Sequence, residues 1–228
     1  MDWSLIVFSY NEAGSLSATV ERCAAFLGLQ DGDHEIIVVD DGSTDSTARV
    51  CEGLVARFPG LRVLRHTVNL GIGQALRTGY AAASRTCVCA IPGDGQFDPW
   101  ELAAVPEFSN DRFFAFSREH QHYTPYRSIL SIGNRLLNRL FLGLDMKDVN
   151  WVKVYHREQL AGLSPRLLSS LVESEICHRL VSSGCRCLEL PSTCHIRTHG
   201  KAKGGRWSTV SKVLAEAPMF YLRGLLGR

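Results

Sequence analysis

The sequence predicts an α/β fold, a mostly parallel sheet flanked by helices within a single domain over residues 1–228. Three observations carry that reading. Apolar runs of strand length alternate with stretches whose apolar residues recur at helical spacing, the pattern of βαβ units and hence of parallel strands. The runs end repeatedly in carboxylate or glycine turns. A chain of 228 residues that is 45% hydrophobic also fills one large core better than two small ones.

The elements follow in order. Leu5 to Tyr10 is an apolar run stopped by Asn11 and Glu12, and Ser15 to Leu27 carries Leu16, Val20, Cys23, Ala24 and Leu27 at helical spacing. Glu35 to Val39 gives a second strand, closed by "DDGSTDST", where Asp41-Gly42 turns and Ser43, Thr44 or Asp45 can cap the next helix. Leu61 to His66 is a third strand, "NLGIGQALRTGYAAA" a glycine-opened helix, Thr86 to Ile91 a fourth strand, Pro99 to Phe108 a short helix and Arg112 to Ser117 a fifth strand. Ser128 to Met146 sets Ile129, Ile132, Leu136, Leu137, Leu140 and Leu144 among Arg135, Asn138 and Arg139. That is an amphipathic helix, expected to pack onto the sheet or a second copy of the chain in preference to a membrane. Val149 to Tyr155 reads as a strand, Leu171 to Ser183 as a helix, and Cys185 to Leu190 as a strand ending at Pro191. Trp207 to Leu226 is helical in pattern, with a kink expected at Pro218.

Composition narrows the function. A formal charge of +2 is too small for a nucleic-acid partner, so any anion site must be a local basic cluster. "MDWSLIVFSYNE" has neither a basic start nor a cleavage pattern, and a cytoplasmic protein is expected. The Cys-x-Cys pairs Cys87/Cys89 and Cys185/Cys187 sit in alternating apolar stretches and read as reduced core thiols. Zinc sites favour wider Cys spacing, which argues against a metal module built from Cys185, Cys187, Cys194, His195 and His199.

In open parallel sheets ligands bind beyond the carboxyl ends of the strands. Those ends carry Tyr10-Asn11-Glu12, Asp40-Asp41 and Gly93-Asp94-Gly95-Gln96. Each alone reads as a turn, but carboxylates gathered at one edge repel unless a cation or hydrogen-bonding ligand joins them. Late in the chain, "CHIRTHGKAKGGR" brings His195, Arg197, His199, Lys201, Lys203 and Arg206 into one loop, a composition suited to phosphate oxygens.

In order along the chain, "LIVFSYNEAGSL", "EIIVVDDGSTDST", "NLGIGQALRTGY", "IPGDGQFDPWEL" and "RTHGKAKGG" resemble the motifs of family 2 glycosyltransferases. These are inverting enzymes of the Rossmann-like GT-A fold that use nucleotide-diphosphate sugars. "GDGQFDP" and the late basic loop are most similar to the dolichyl-phosphate-mannose synthase-like branch, whose acceptors are polyprenyl phosphates. The resemblance implies that Phe8, Tyr10, Glu12, Asp40, Asp41 and Gly71 line the nucleoside. It implies that Asp94, with Gln96, faces Mg²⁺ or Mn²⁺ on the diphosphate. Residues 1–118 would form the nucleotide-sugar half, 119–206 the acceptor half and 207–228 a C-terminal helix. Asp148 falls where the branch places an aspartate before its next strand and is the first candidate base, ahead of Glu173 or Glu175. Lys153, Glu175, Arg197, His199 and Lys201 are expected on the phosphate or acceptor side.

Two positions depart from the pattern. Pro92 stands where the first aspartate of the usual Asp-x-Asp metal motif would be, and Phe8 where the first strand commonly ends in proline. A phosphate acceptor is already anionic near neutral pH and needs cationic positioning, whereas a saccharide hydroxyl needs a base. The basic loop therefore favours phosphate, with a saccharide hydroxyl as the alternative and a non-catalytic sugar-nucleotide binder behind it. A polyprenyl acceptor would bring the protein peripherally to the cytoplasmic membrane face, and the C-terminal helix would pack in the core or in a homodimer.

Overall fold

The computed structural model describes residues 1–119, 125–163, 165–197 and 207–226. The chain runs β1 (Trp3–Ser9), α1 (Leu16–Leu27), β2 (Glu35–Asp40), α2 (Thr47–Arg57), β3 (Arg62–Arg65), α3 (Ile72–Ala82), β4 (Cys87–Pro92) and a 3₁₀ turn (Pro99–Ala104). It continues through β5 (Arg112–Glu119), α4 (Pro125–Leu142), β6 (Lys153–His156), α5 (Arg157–Ala161), α6 (Val172–Ser182), β7 (Arg186–Thr193) and α7 (Trp207–Leu226). The strands form one sheet in the order β3-β2-β1-β4-β6-β5-β7. Four pairings are parallel, and β6 runs antiparallel to both of its neighbours.

Strand alternation builds two cores. Leu5 and Val7 of β1 and Val38 of β2 face one side with Val20, Cys23 and Phe26 of α1, while Ile6, Ile37 and Val39 face the other with Ala75 and Leu76 of α3. β1, paired on both sides, is buried along almost its whole length. Its carboxyl end therefore lies between those of β2 and β4, inside the carboxyl edge of the sheet.

Several elements differ from the sequence expectation. The strand expected over Val149 to Tyr155 is the four-residue β6, because Val149 to Val152 is drawn out of the ladder; the Lys153 ammonium holds the carbonyls of Val149 and Trp151 at 2.6 and 3.0 Å. β7 passes through Pro191 to Thr193. It lies at the edge of the sheet, where a missing N–H costs no ladder bond on the open side. α5, absent from the sequence reading, is a single short helix opened by a capping box between His156 and Gln159. α7 runs on as one element through Pro218.

The largest difference is α4. Of its apolar row, expected against the sheet or a second copy, Leu144 just past the helix is buried in the α3-side core, but those described within α4 are not packed on the sheet. Ile132, Leu136, Leu137 and Leu140 are exposed, and it is Asn138 that is wholly buried. The eight cysteines are free; Cys87 and Cys89 are buried as expected, whereas Cys185 and Cys187 are only half-buried at the sheet edge.

Candidate functional site

At the carboxyl edge, Phe8 lies beside Pro92 and Ser9 beside Asp40, so the turns after β1, β2 and β4 are neighbours. Local bonds fix them. Asn11, at φ 52°, accepts from the Thr44 N–H at 2.7 Å and donates its own N–H to Ser43 Oγ at 2.9 Å, joining the first two turns. The Glu12 carbonyl accepts from the Leu16 N–H at the start of α1, and Ser15 Oγ donates to the Gly93 carbonyl at 2.9 Å, joining the first turn to the third. Gly93 is tight against β1, where an added Cβ would come 3.2 Å from the Phe8 carbonyl oxygen, and Gly95 turns the chain at φ 74°.

The centre of the edge is a three-residue ionic group. Arg197, from the segment after β7, donates Nη1 to Glu12 Oε1 at 3.0 Å and Nη2 to Asp94 Oδ2. Asp94 Oδ1 accepts from the Gln96 N–H at 3.0 Å. Gln96 also anchors the arriving segment, since its carbonyl accepts from the His195 N–H at 2.9 Å and its Nε2 donates to the His195 carbonyl at 3.3 Å. Glu12 and Asp94 are largely buried, so their charges meet the guanidinium in a medium that strengthens charge-assisted bonds.

The adjacent aspartates do not share a face. Asp40 ends β2 pointing toward α2, wholly buried, with Oδ1 accepting from the Ser43 N–H at 3.0 Å and Oδ2 3.2 Å from Arg65 Nε. Its carboxylate is thus engaged by Ser43 and Arg65 rather than by the turn into α3. Asp41 turns the opposite way and accepts from the N–H groups of Leu70 at 3.0 Å and Gly71 at 2.8 Å, while His66 Nδ1 lies 2.7 Å from it. Asp41 and Gly71 thus brace the turn into α3 against each other. Phe8 is half-buried against the α3-side core, and Tyr10 is half-buried at the end of β1.

The second half adds a cluster that the sequence reading missed. Arg118, at the end of β5, grips Asp148 through Nε at 2.6 Å and Nη2 at 3.1 Å, and its guanidinium carbon lies 4.5 Å from the Trp151 ring centre. Trp151 Nε1 donates to Ser192 Oγ of β7 at 2.8 Å. Burial raises the Cys194 thiol above its ordinary range, and the nearby Arg118 charge works against that rise. A basic residue ending a strand at the ligand-binding edge was the available signal for Arg118.

Three other expectations are corrected. Lys153 is wholly buried, 3.0 Å from Glu173 Oε2, and does not face a phosphate. Burial would lower the Lys153 pKa, but the Glu173 carboxylate outweighs it and raises the value. Glu173, named as a base, also accepts from Tyr80 Oη at 2.6 Å and Tyr155 Oη at 2.8 Å, and burial together with that carboxylate pushes both phenols well up. Glu175, expected at the acceptor, accepts from the N–H groups of Arg166 at 2.8 Å and Leu167 at 3.0 Å and from Arg179 at 2.5 Å, bracing the segment before α6. His199 and Lys201, like Lys203 and Arg206, lie outside the described residues.

Residues 4–158 match the model of the family described as Glycosyl transferase family 2. Dodecaprenyl-phosphate galacturonate synthase of Rhizobium johnstonii is 28% identical over 236 residues, covering 98% of this chain and 68% of that protein. Dolichyl-phosphate beta-glucosyltransferase of Drosophila melanogaster is 31% identical over 65% of this chain and 52% of its own length. Dolichol-phosphate mannosyltransferase of Pyrococcus furiosus is 26% identical over 89% and 59%. The chain thus spans only about half to two thirds of the length of these relatives. Glucosyl-3-phosphoglycerate synthase from Mycobacterium tuberculosis, solved with Mn²⁺ and UDP-glucose, superposes with a TM-score of 0.70 at 19% identity, over 96% of this chain and 78% of that one. At that identity the likeness establishes the fold, the GT-A arrangement.

Proposed function

Because the chain belongs to glycosyl transferase family 2, we propose that it moves a sugar, with inversion, from a nucleoside-diphosphate sugar to the phosphate of a polyprenyl phosphate. The observation that carries the reading is the meeting of Glu12, Asp94 and Arg197 at the carboxyl ends of β1 and β4. Residues 1–118 serve the donor and 119–206 the acceptor, with 207–228 as an accessory helix. The acceptor class is supported by the names of the relatives, which include a dodecaprenyl-phosphate and a dolichol-phosphate enzyme.

A divalent ion fits the donor set. Two largely buried carboxylates reach the two ends of one guanidinium, so both address a single cationic place, and carboxylate oxygens suit Mg²⁺ or Mn²⁺. Asp94 and Glu12 would hold the ion beside Gln96, with Glu12 supplying the second negative charge that Pro92 does not. When bound, the ion would offset the charge developing on the departing diphosphate.

The chain's own part in the reaction is positioning and charge. An acceptor phosphate oxygen attacks the anomeric carbon from the face opposite the donor diphosphate; the new C–O bond forms as the bond to the diphosphate oxygen breaks, and the leaving group keeps the electron pair. Arg197 and Arg118 bring guanidinium groups to the side where that acceptor enters, and two charged partners can orient a phosphate without removing a proton from it. Asp148 then serves to hold Arg118 rather than to act as a base. The eight free thiols agree with a reducing compartment, and a polyprenyl phosphate acceptor would put the proposed reaction at the cytoplasmic face of a membrane.

The test is incubation of the purified chain with uridine and guanosine diphosphate sugars and a polyprenyl phosphate. The expected product is a polyprenyl-phosphate sugar, lost with EDTA and restored by Mn²⁺. Transfer to a saccharide with no lipid product would overturn the acceptor assignment.

A further inference from the structure

A groove of about 750 Å³ opens on the α3 side of the sheet, with the second half of α3 as one wall and α5, Leu163 and Pro165 as the other. α3 ends shortly before β4 begins at Cys87, and α5 follows His156, which pairs with Cys87. The groove therefore lies toward the amino edge of the sheet, at the opposite end from Glu12, Asp94 and Arg197. Its α3 wall is firmly seated. A Cβ added at Gly79 would run into the Ile6 side chain of β1, and one at Gly73 into the backbone of Leu168, so the helix lies in close contact with the sheet and with the segment before α6.

The lining has a charged part and an apolar part. Leu160, Leu163 and Ile176 supply apolar surface, while Arg77 of α3 and Arg157 of α5 bring guanidinium groups. No acidic side chain lines the groove among the described residues. The hydroxyls on the α3 wall are already engaged, since Tyr80 Oη donates to Glu173 Oε1 at 2.6 Å and Thr78 Oγ1 lies 3.0 Å from His66 Nε2. Arg77 and Arg157 differ from Arg118 and Arg197, which each grip a carboxylate; their side chains have no hydrogen bond or ion pair among the described residues.

We propose that this groove is a second binding site, for a small phosphate ester with an apolar body. A guanidinium is a fork of donors with no acceptor, and two of them on opposite walls without carboxylate partners suit the oxygens of a phosphate. A neutral sugar would leave both charges unanswered. The apolar surface takes the ester group, which inorganic phosphate lacks, and the volume is that of a small-molecule site. The site rests on no step of the proposed transfer, and its place at the amino edge leaves the carboxyl edge open.

Titration calorimetry of the full chain in EDTA with 1-naphthyl phosphate, 1-naphthol and inorganic phosphate tests this. 1-Naphthyl phosphate should bind saturably, and the other two about tenfold or more weakly, since each offers only part of the contacts. Arg77→Ala/Arg157→Ala should weaken the probe about tenfold or more, and Arg77→Lys/Arg157→Lys should restore part of the loss. Neither side chain has a partner to lose among the described residues, so the melting temperature without probe should be unchanged. Arg197→Ala, at the other end of the sheet, should bind as the wild type does. Equal binding by the wild type and the double alanine variant overturns the proposal, as does a wild type that never saturates. Loss of binding in Arg197→Ala with the double variant unaffected puts the probe at the carboxyl edge and overturns it too. A wild type that takes no probe but sediments as a dimer, dissociated in the double variant, assigns the groove to a second copy instead. Binding is read without turnover, so a chain that transfers no sugar fails the proposed function while leaving this site to stand or fall on the titration.

Discussion

Arg197 Nη1 meets Glu12 Oε1 at 3.0 Å across a sequence separation of 185 residues, tying the segment after β7 to the end of β1. The same guanidinium takes Asp94. A divalent ion directed to these carboxylates therefore competes with Arg197. Removing that competitor in Arg197→Met should tighten Mn²⁺ binding in donor-free protein about tenfold, the worth of one charge-assisted hydrogen bond. Titration calorimetry reads this directly, and unchanged affinity would put the ion elsewhere.

Asp94→Ala should lower transfer about a hundredfold or more, because in the proposed reaction it removes a carboxylate that would hold the ion at the diphosphate. The melting temperature should move little, since the side chain lies at a sheet edge and leaves no core cavity. Near-normal turnover at saturating Mn²⁺ would sink the assignment of Asp94.

Asp148→Asn separates the acceptor classes. With a phosphate acceptor it should cost less than about tenfold in kcat, felt through a loosened Arg118, and appear mainly in acceptor KM. A general base would be worth about a hundredfold to ten-thousandfold. A loss of that size in kcat would favour a hydroxyl acceptor.

Lys153→Met should destabilise the fold by about 3–5 kcal/mol, since it leaves the Glu173 carboxylate buried without its cation. Lys153→Met/Glu173→Leu should recover most of the loss. Urea unfolding of the three proteins gives the comparison; a single variant within about 1 kcal/mol of wild type would contradict a charged pair.

Glu35 offers a pH test away from the site. Burial would raise its pKa, but hydrogen bonds from Ser4, Ser84 and Arg62 outweigh it and bring the value down from the ordinary 4.5 to about 2. The folded value is the lower one, so the stabilisation is complete above about pH 4.5 and is lost as pH falls through about 2. The stability gap between wild type and Glu35→Gln should be flat near neutrality and shrink across that acid window. A gap independent of pH would mean that Glu35 is not held ionised by these bonds.

The βαβ course and the acidic turns after β1, β2 and β4, with Asp94 in the last of them, were legible from the sequence alone. Strand alternation buries apolar runs whatever their neighbours are, and carboxyl ends of parallel strands gather at one edge by topology. That adjacent Asp40 and Asp41 turn opposite ways was not read from the sequence, which set both at the nucleoside; Asp41 lies just past β2, where the N–H groups of Leu70 and Gly71 hold it. Only the tertiary structure decided the rest. Lys153 and Glu173 lie on separate elements, and whether a charge faces solvent or a buried partner depends on which elements pack together. The same holds for Arg118 and Asp148, brought together 30 residues apart. It holds most plainly for α4, where helical periodicity separates two faces but says nothing of which turns inward; packing buried Asn138 and left the leucines outside. Local sequence determines what a segment can form, and long-range contacts determine what its faces meet.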